Sequence, residues 1–264
     1  MVTTSAGPNT AASMAFLEAV PLASRSAELE ALTDDQLPNP PRYQADIEQA
    51  TTVGSQISEF ARTVPPDMRH SVDNAFLLAQ LAANFHIDEN GGGTREWYQK
   101  YIEVLQNAGW VVESKGDSFR KIKGSSLEVH KEIIPVITAA LGPAAAAASV
   151  VVTTLKGLEA MDKSQPWITL FDRESQRAKA NQFQVSYVEV DENKVPRMTL
   201  ASFELNAERS VTQVLFFKFS GASAELSHFE TKMSINQSAF DNGKTIIAQR
   251  LADRSTGYLT DLKF

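Results

Sequence analysis

The chain has 264 residues, 43% of them apolar and 22% charged, enough for one large or two small globular domains with a full core. A net charge of −7, a pI of about 5.2 and the lack of any Lys/Arg cluster exclude a nucleic-acid footprint and disfavour standing attachment to an anionic membrane. With no cysteine there is no disulfide, thiol nucleophile, S-acylation or thiolate metal site.

Residues 1–43 read as an extended or disordered arm. Thr3, Thr4, Ser5, Gly7, Pro8 and Asn9 open it, a short apolar patch from Met14 to Leu17 follows, and Asp34-Asp35 and Pro38-Asn39-Pro40-Pro41 close it. The first basic residue is Arg25, so no positive region precedes the apolar patch and a Sec signal is not expected. The expectation is a soluble protein, cytoplasmic or released without such a signal.

Residues 44–264 read as a single α+β domain, mainly helical over 44–165. Ile47, Ala50, Val53, Ile57, Phe60, Ala61 and Val64 recur every three to four residues and predict a helix that Pro65-Pro66 ends. Val72, Ala75, Phe76, Leu78, Ala79, Leu81, Ala82 and Phe85 predict a second, central helix. Asp88 to Gly93 predicts a loop, and Thr94 the N-cap of a third helix carrying Trp97, Tyr98, Tyr101, Ile102, Val104 and Leu105. Trp110 to Val112 and Phe119 to Lys123 predict a two-stranded ribbon.

Ile133 to Leu155 then runs 23 residues without a charge. That length would suit a transmembrane helix, but Pro135, Gly142-Pro143 and the five alanines Ala144 to Ala148 argue against one. Two helices folded into a hairpin fit better, with Gly142 ending the first and Pro143 opening the second. Ser125 to Glu128 fits a capping box that starts the first helix. The hairpin is either plain core, its alanines allowing close packing, or a unit that leaves the core for lipid. In the second case Ile133, Ile134, Val136, Ile137, Leu141, Ala145, Val150, Val151, Val152 and Leu155 are the contact residues. The flanking Glu128, Glu132, Glu159 and Asp162 then predict easier insertion in mild acid, which neutralises them.

After Pro166 the period shortens to two, predicting over 166–264 an antiparallel sheet with one helix and a terminal strand. The strands are expected at Gln182 to Val190, Met198 to Leu205, Val211 to Phe219 and Ala224 to Ile235, joined by tight turns as a meander. Val211 to Phe219 is apolar on both faces and is expected at the sheet centre. A helix from Ser238 to Asp253 and a strand from Tyr258 to Phe264 complete the series. The expected architecture is a helical N-terminal half, built round the hairpin, packed on a C-terminal antiparallel sheet.

The four histidines are scattered, none at metal-ligand spacing, and no nucleophile elbow, Walker A or dinucleotide fingerprint occurs. No catalytic residue, metal or cofactor is expected. Trp97, Trp110, Trp167, Phe216 and Phe217 are candidates for an apolar pocket, against a plain packing role.

Three patches taken together, Trp97 to Trp110, Trp167 to Asp172 and Val214 to Ser220, resemble the Evf-type family of insect virulence factors over residues 45–264. The resemblance implies a non-enzymatic, membrane-targeting virulence protein. That family carries a fatty acid on a cysteine. This chain has no cysteine, so the acyl site maps to no residue and lipid contact would be non-covalent. The leading expectation is a soluble, non-catalytic, toxin-like protein that binds lipid or membranes, with homo-oligomerisation left open. The alternative is a protein-interaction module with the hairpin as plain core, and the third an enzyme of unrecognised class.

Overall fold

The computed structural model describes residues 10–24, 30, 37, 39–116, 128–141, 151–157, 165–176, 181–207, 214–216 and 224–262. The protein is α+β, as its sequence implies. Helix α1 (Thr10–Ala19) is followed by strands β1 (Gln49–Val53) and β2 (Gln56–Phe60). Helices α2 (Pro66–Asn90) and α3 (Thr94–Asn107) precede β3 (Trp110–Gly116). Next come α4 (Val129–Leu141), helical residues 151–157 and α5 (Pro166–Gln176). Strands β4 (Asn181–Val190), β5 (Pro196–Ala207) and β6 (Ala224–Ile235), helix α6 (Gln237–Leu251) and strand β7 (Leu259–Leu262) end the series.

The strands form one sheet in the order β3-β6-β5-β4-β2-β1-β7. β4, β5 and β6 are the expected antiparallel meander. β2 runs parallel to β4, with Gln56 beside Gln184 and Glu59 beside Tyr187. The sheet thus draws β1, β2 and β3 from the N-terminal half, where the sequence predicts mainly helix.

Residues 49–60 correct the expected first helix. They form a β-hairpin, not a helix. Thr51, Thr52 and Val53 are β-branched and favour strand, and Gly54 turns the chain at φ +52. The helical spacing of Ile47, Ala50, Val53, Ile57 and Phe60 was coincidental. Both faces of the hairpin are buried, so polar Gln56, Ser58 and Glu59 carry no surface signal.

Three further elements differ from expectation, and β3 is the first strand of the expected ribbon. Pro166–Gln176 is a helix where a shift to strand was expected; Trp167, Ile168, Leu170 and Phe171 bury one of its faces. Val214 to Phe216 form a bend and turn rather than a central strand, and Phe217 lies outside the described residues. β3 pairs with β6; Phe119 to Lys123 lie outside the described residues. Gly93, not Thr94, caps α3, and the Glu96 side chain accepts from the Gly93 N–H at 3.0 Å.

The stretch expected as an arm includes α1, and Leu17, Val20 and Ala23 are buried in the core. Arg250 of α6 donates to the carbonyls of Leu17 and Val20, and Arg254 to that of Ala23. Helices α1, α2, α3 and α6 form a layer on one sheet face. Helical residues 151–157 and α5 cover the other face, and α4 packs on β5. Phe171 of α5 meets Phe183 at a tilt, centroids 6.1 Å apart, and Phe183 stacks on Phe203 at 5.1 Å.

Gly109 joins α3 to β3 at φ +98, where a Cβ would lie 2.5 Å from the backbone nitrogen of Phe240. Gly109→Ala therefore strains the backbone and pushes on α6. We expect a loss of about 3 kcal/mol in urea unfolding. A loss below about 1 kcal/mol would mean that α6 shifts freely.

Candidate functional site

The apolar helical layer positions most of the sequence-derived contact residues. In α4, Ile133, Val136, Ile137 and Ala140 are buried, while Ile134 and Leu141 are half-buried. Pro135, Thr138 and Ala139 are exposed. In helical residues 151–157, Val151 and Leu155 are fully buried and Val152 is half-buried. Ala145, Val150 and the Gly142-Pro143 corner lie outside the described residues. From Ile133 to Leu141 α4 presents no charge on any face. No helix among the described residues is long and apolar enough to cross a membrane.

Beneath this layer sits a carboxylic acid. Glu59 is fully buried on β2. Its neighbours Ser58 and Phe60 face α2, beside Asp73 and Arg69 respectively. Alternation along the strand sends Glu59 to the opposite face. There Thr154 lies beside its carboxyl, outside hydrogen-bond geometry, and neither carboxyl oxygen has a partner. Burial, with Glu48 adding to it, pushes Glu59 up from its ordinary 4.5 to about 8, against a smaller opposing pull from Thr154. Asp172 on α5 also rises to about 7 through burial, although its Oδ1 accepts from the Val214 N–H at 2.7 Å.

The face under α2 holds a polar layer that sequence reasoning missed. Tyr43 and Thr51 hydroxyls donate to Asp73 Oδ2 at 2.7 and 2.8 Å. Burial raises Asp73 to about 7, opposed by those hydroxyls, Ser58 and Arg69. Gln56 accepts from Tyr101 at 2.6 Å and donates to Ser186 at 3.0 Å. Gln80 donates to the Val53 carbonyl at 2.8 Å and accepts from the Ser55 N–H at 3.1 Å. One signal was present: Asp73 interrupts the apolar stripe of α2 between Val72 and Ala75. A buried acid implies donors, but its partners lie 22 and 30 residues away on elements read as helix or arm.

The pocket candidates do not converge. Trp97 donates to Asn84 at 2.7 Å and stacks on Tyr101 under α2. Trp110 stacks on Phe76 and meets Phe240 edge-on in the same layer. Trp167 meets Phe171 edge-on, one turn away on α5, on the opposite face of the sheet. Phe216 is buried at the 214–216 turn. A cleft of about 580 Å³ lies elsewhere, lined by Pro65 and Met68 at the start of α2, by Val190, Asp191, Glu192, Lys194 and Pro196 at the β4–β5 turn, and by Gln237. None of the five aromatics lines it. Among the described residues no group of three or more His, Asp or Glu could hold a metal.

No protein-family model matches the chain, and no curated protein matches it. Among solved structures it is similar to a delta-endotoxin, with TM-score 0.39 and 16% identity over 71% of this chain and 89% of that one. It is also similar to the activated Cyt2Ba monomer from Bacillus thuringiensis subsp. israelensis, with TM-score 0.41 and 12% identity over 70% and 98%. The Evf virulence factor gives TM-score 0.30 and 12% identity over 78% and 85%. The Evf-type resemblance read from the sequence is thus a weak structural likeness, with no family model or sequence relative behind it.

Proposed function

We propose that the protein binds lipid membranes, without catalysis, through the helical layer formed by α4 and residues 151–157. The observation that carries this is the outer side of α4. A surface helix of a soluble protein ordinarily turns charged residues to water. Beyond Lys131 and Glu132 in the first turn, the outer positions here are Ile134, Pro135, Thr138, Ala139 and Leu141. The same layer buries Ile133, Val136, Ile137, Val151 and Leu155, apolar surface that a bilayer can accept in place of the sheet. Toxin-like action is proposed from the sequence patches at 97–110, 167–172 and 214–220.

Exposed positions on α4 separate this from plain core packing. Thr138→Glu with Ala139→Lys adds charge where the fold already meets water, so the urea midpoint should barely move, by less than about 0.5 kcal/mol. Each charge costs roughly 2.5–3.5 kcal/mol at the centre of a bilayer. Flotation with phosphatidylcholine liposomes should therefore fall at least tenfold for the double variant. Equal flotation by both proteins, or none by the parent, leaves the layer as plain core and favours the interaction-module alternative.

A further inference from the structure

We propose that Glu59 is a pH-operated latch: it keeps the helical layer down on the sheet while its carboxyl is protonated, and releases the layer once it ionises. The geometry that carries this is a fully buried carboxyl whose two oxygens both lack partners, placed between the sheet and helical residues 151–157. Lifting those residues is the direct way to bring it to water. The latch regulates the layer assigned above to membranes and takes its purpose from that assignment, but its operation needs no lipid.

The groups facing Glu59 do not hold its charge. Glu48, just before β1, opposes ionisation. Tyr187 sits in register on β4 and is itself raised by burial and by Glu189, Glu48 and Glu59, with Arg62 pulling the other way. The helical layer presents Thr154, a hydroxyl. Asp172, Arg173 and Glu174 on α5 and the exposed Lys156 do not act on it. Among the described residues no cation compensates it.

The sign follows from linkage. With the layer down, Glu59 holds its proton up to about pH 8; in water it would lose it near its ordinary 4.5. Below the lower value both states are protonated and closure is fully favoured. Between the two values closure must take up a proton, so opening rises by up to tenfold per pH unit. Above the upper value both states are ionised and the effect levels off. The direction opposes the acid dependence that the hairpin's flanking carboxylates suggest, because those groups act on insertion and Glu59 acts on release.

The test uses the full chain in water. Amide hydrogen exchange of residues 151–157 is followed from pH 5 to 8.5 and corrected for intrinsic exchange, with α2 as reference. In a parallel measurement Val151→Cys, a single thiol in a cysteine-free chain, reports access to a thiol reagent relative to a free thiol at each pH. Opening should climb by about two to three decades between pH 5 and 8 in the parent and then flatten. Glu59→Gln should stay at the low-pH level throughout, and Glu59→Asp should keep the climb. A flat parent profile overturns the latch, whether or not Glu59→Gln folds. So does a climb in Glu59→Gln equal to that of the parent. If opening behaves as expected but phosphatidylcholine vesicles capture neither protein at pH 8, the latch stands and the membrane assignment falls.

Discussion

Replacing Arg69 by alanine is expected to lower the unfolding free energy by about 3–5 kcal/mol, as removal of one partner from a buried charge network generally does. Arg69 is fully buried at the start of α2. Its Nε donates to the Val64 carbonyl at 2.8 Å and Nη1 to Gln49 Oε1 at 3.1 Å. Nη2 donates to the carbonyls of Ile47 and Ala61 at 2.6 and 3.1 Å. The guanidinium also lies 5.8 Å from the Phe60 ring centroid. One side chain therefore fastens both ends of the β1–β2 hairpin to α2. It also favours the charged form of Asp73, so its loss pushes that carboxyl further up. Arg69→Lys should recover little, since one ammonium cannot reproduce the planar fork. Urea unfolding at pH 6 checks both variants. A cost below about 1 kcal/mol would mean that water replaces the guanidinium and that this corner is not sealed.

Stability should be greatest in mild acid and fall, by up to about 9 kcal/mol, between pH 5 and pH 8. Glu59 stands at about 8 in the fold against an ordinary 4.5, and Asp73 and Asp172 at about 7 against 3.8. In this window the folded chain keeps protons that the unfolded chain has released, so each rise in pH favours unfolding, by up to about 1.4 kcal/mol per pH unit and group. Below the ordinary values both states are protonated and the contribution is complete. Asp191 and Asp241 move the other way, held low by Arg197 and Lys244, and titrate below this window. Urea unfolding at pH 5, 6, 7 and 8 reads the slope. A flat or rising profile would mean that the buried acids ionise inside the fold with compensation.

Legibility followed how each element meets water. α2 was readable because Pro66 opens it and its apolar sector is wide. α6 was readable for its spacing, with Asn236 accepting from the Ala239 N–H as its cap. β4 and β5 were placed to within a few residues, because Phe183, Val185 and Tyr187 alternate in sequence with polar residues even though Gln182, Gln184 and Ser186 are buried too. The β1–β2 hairpin was not, because its polar side chains are spent on partners inside the molecule rather than on solvent. Gln49 serves Arg69 and Asp261, and Thr51 serves Asp73. For the same reason the apolar layer was visible as a composition while the acid beneath it was not. Glu59 lies between Ser58 and Phe60 in a segment that scans as a helix, and only the sheet register puts it opposite Tyr187.

The parallel pairing of β2 with β4 bears on how the molecule can be made. On a ribosome, β2 is synthesised long before its neighbour, because residue 56 pairs with residue 184. The hairpin's other edge waits longer still, for β7 to pair Ala50 with Leu262. Until both arrive, a two-stranded ribbon stands with both of its edges unpaired, and such ribbons are marginal in water. The nascent N-terminal half thus has no native sheet to join, and folding is gated by late, distant contacts that make it slow. A chain halted after β3 would leave both edges of this ribbon unpaired and the Glu59 face without the helical residues 151–157 that cover it.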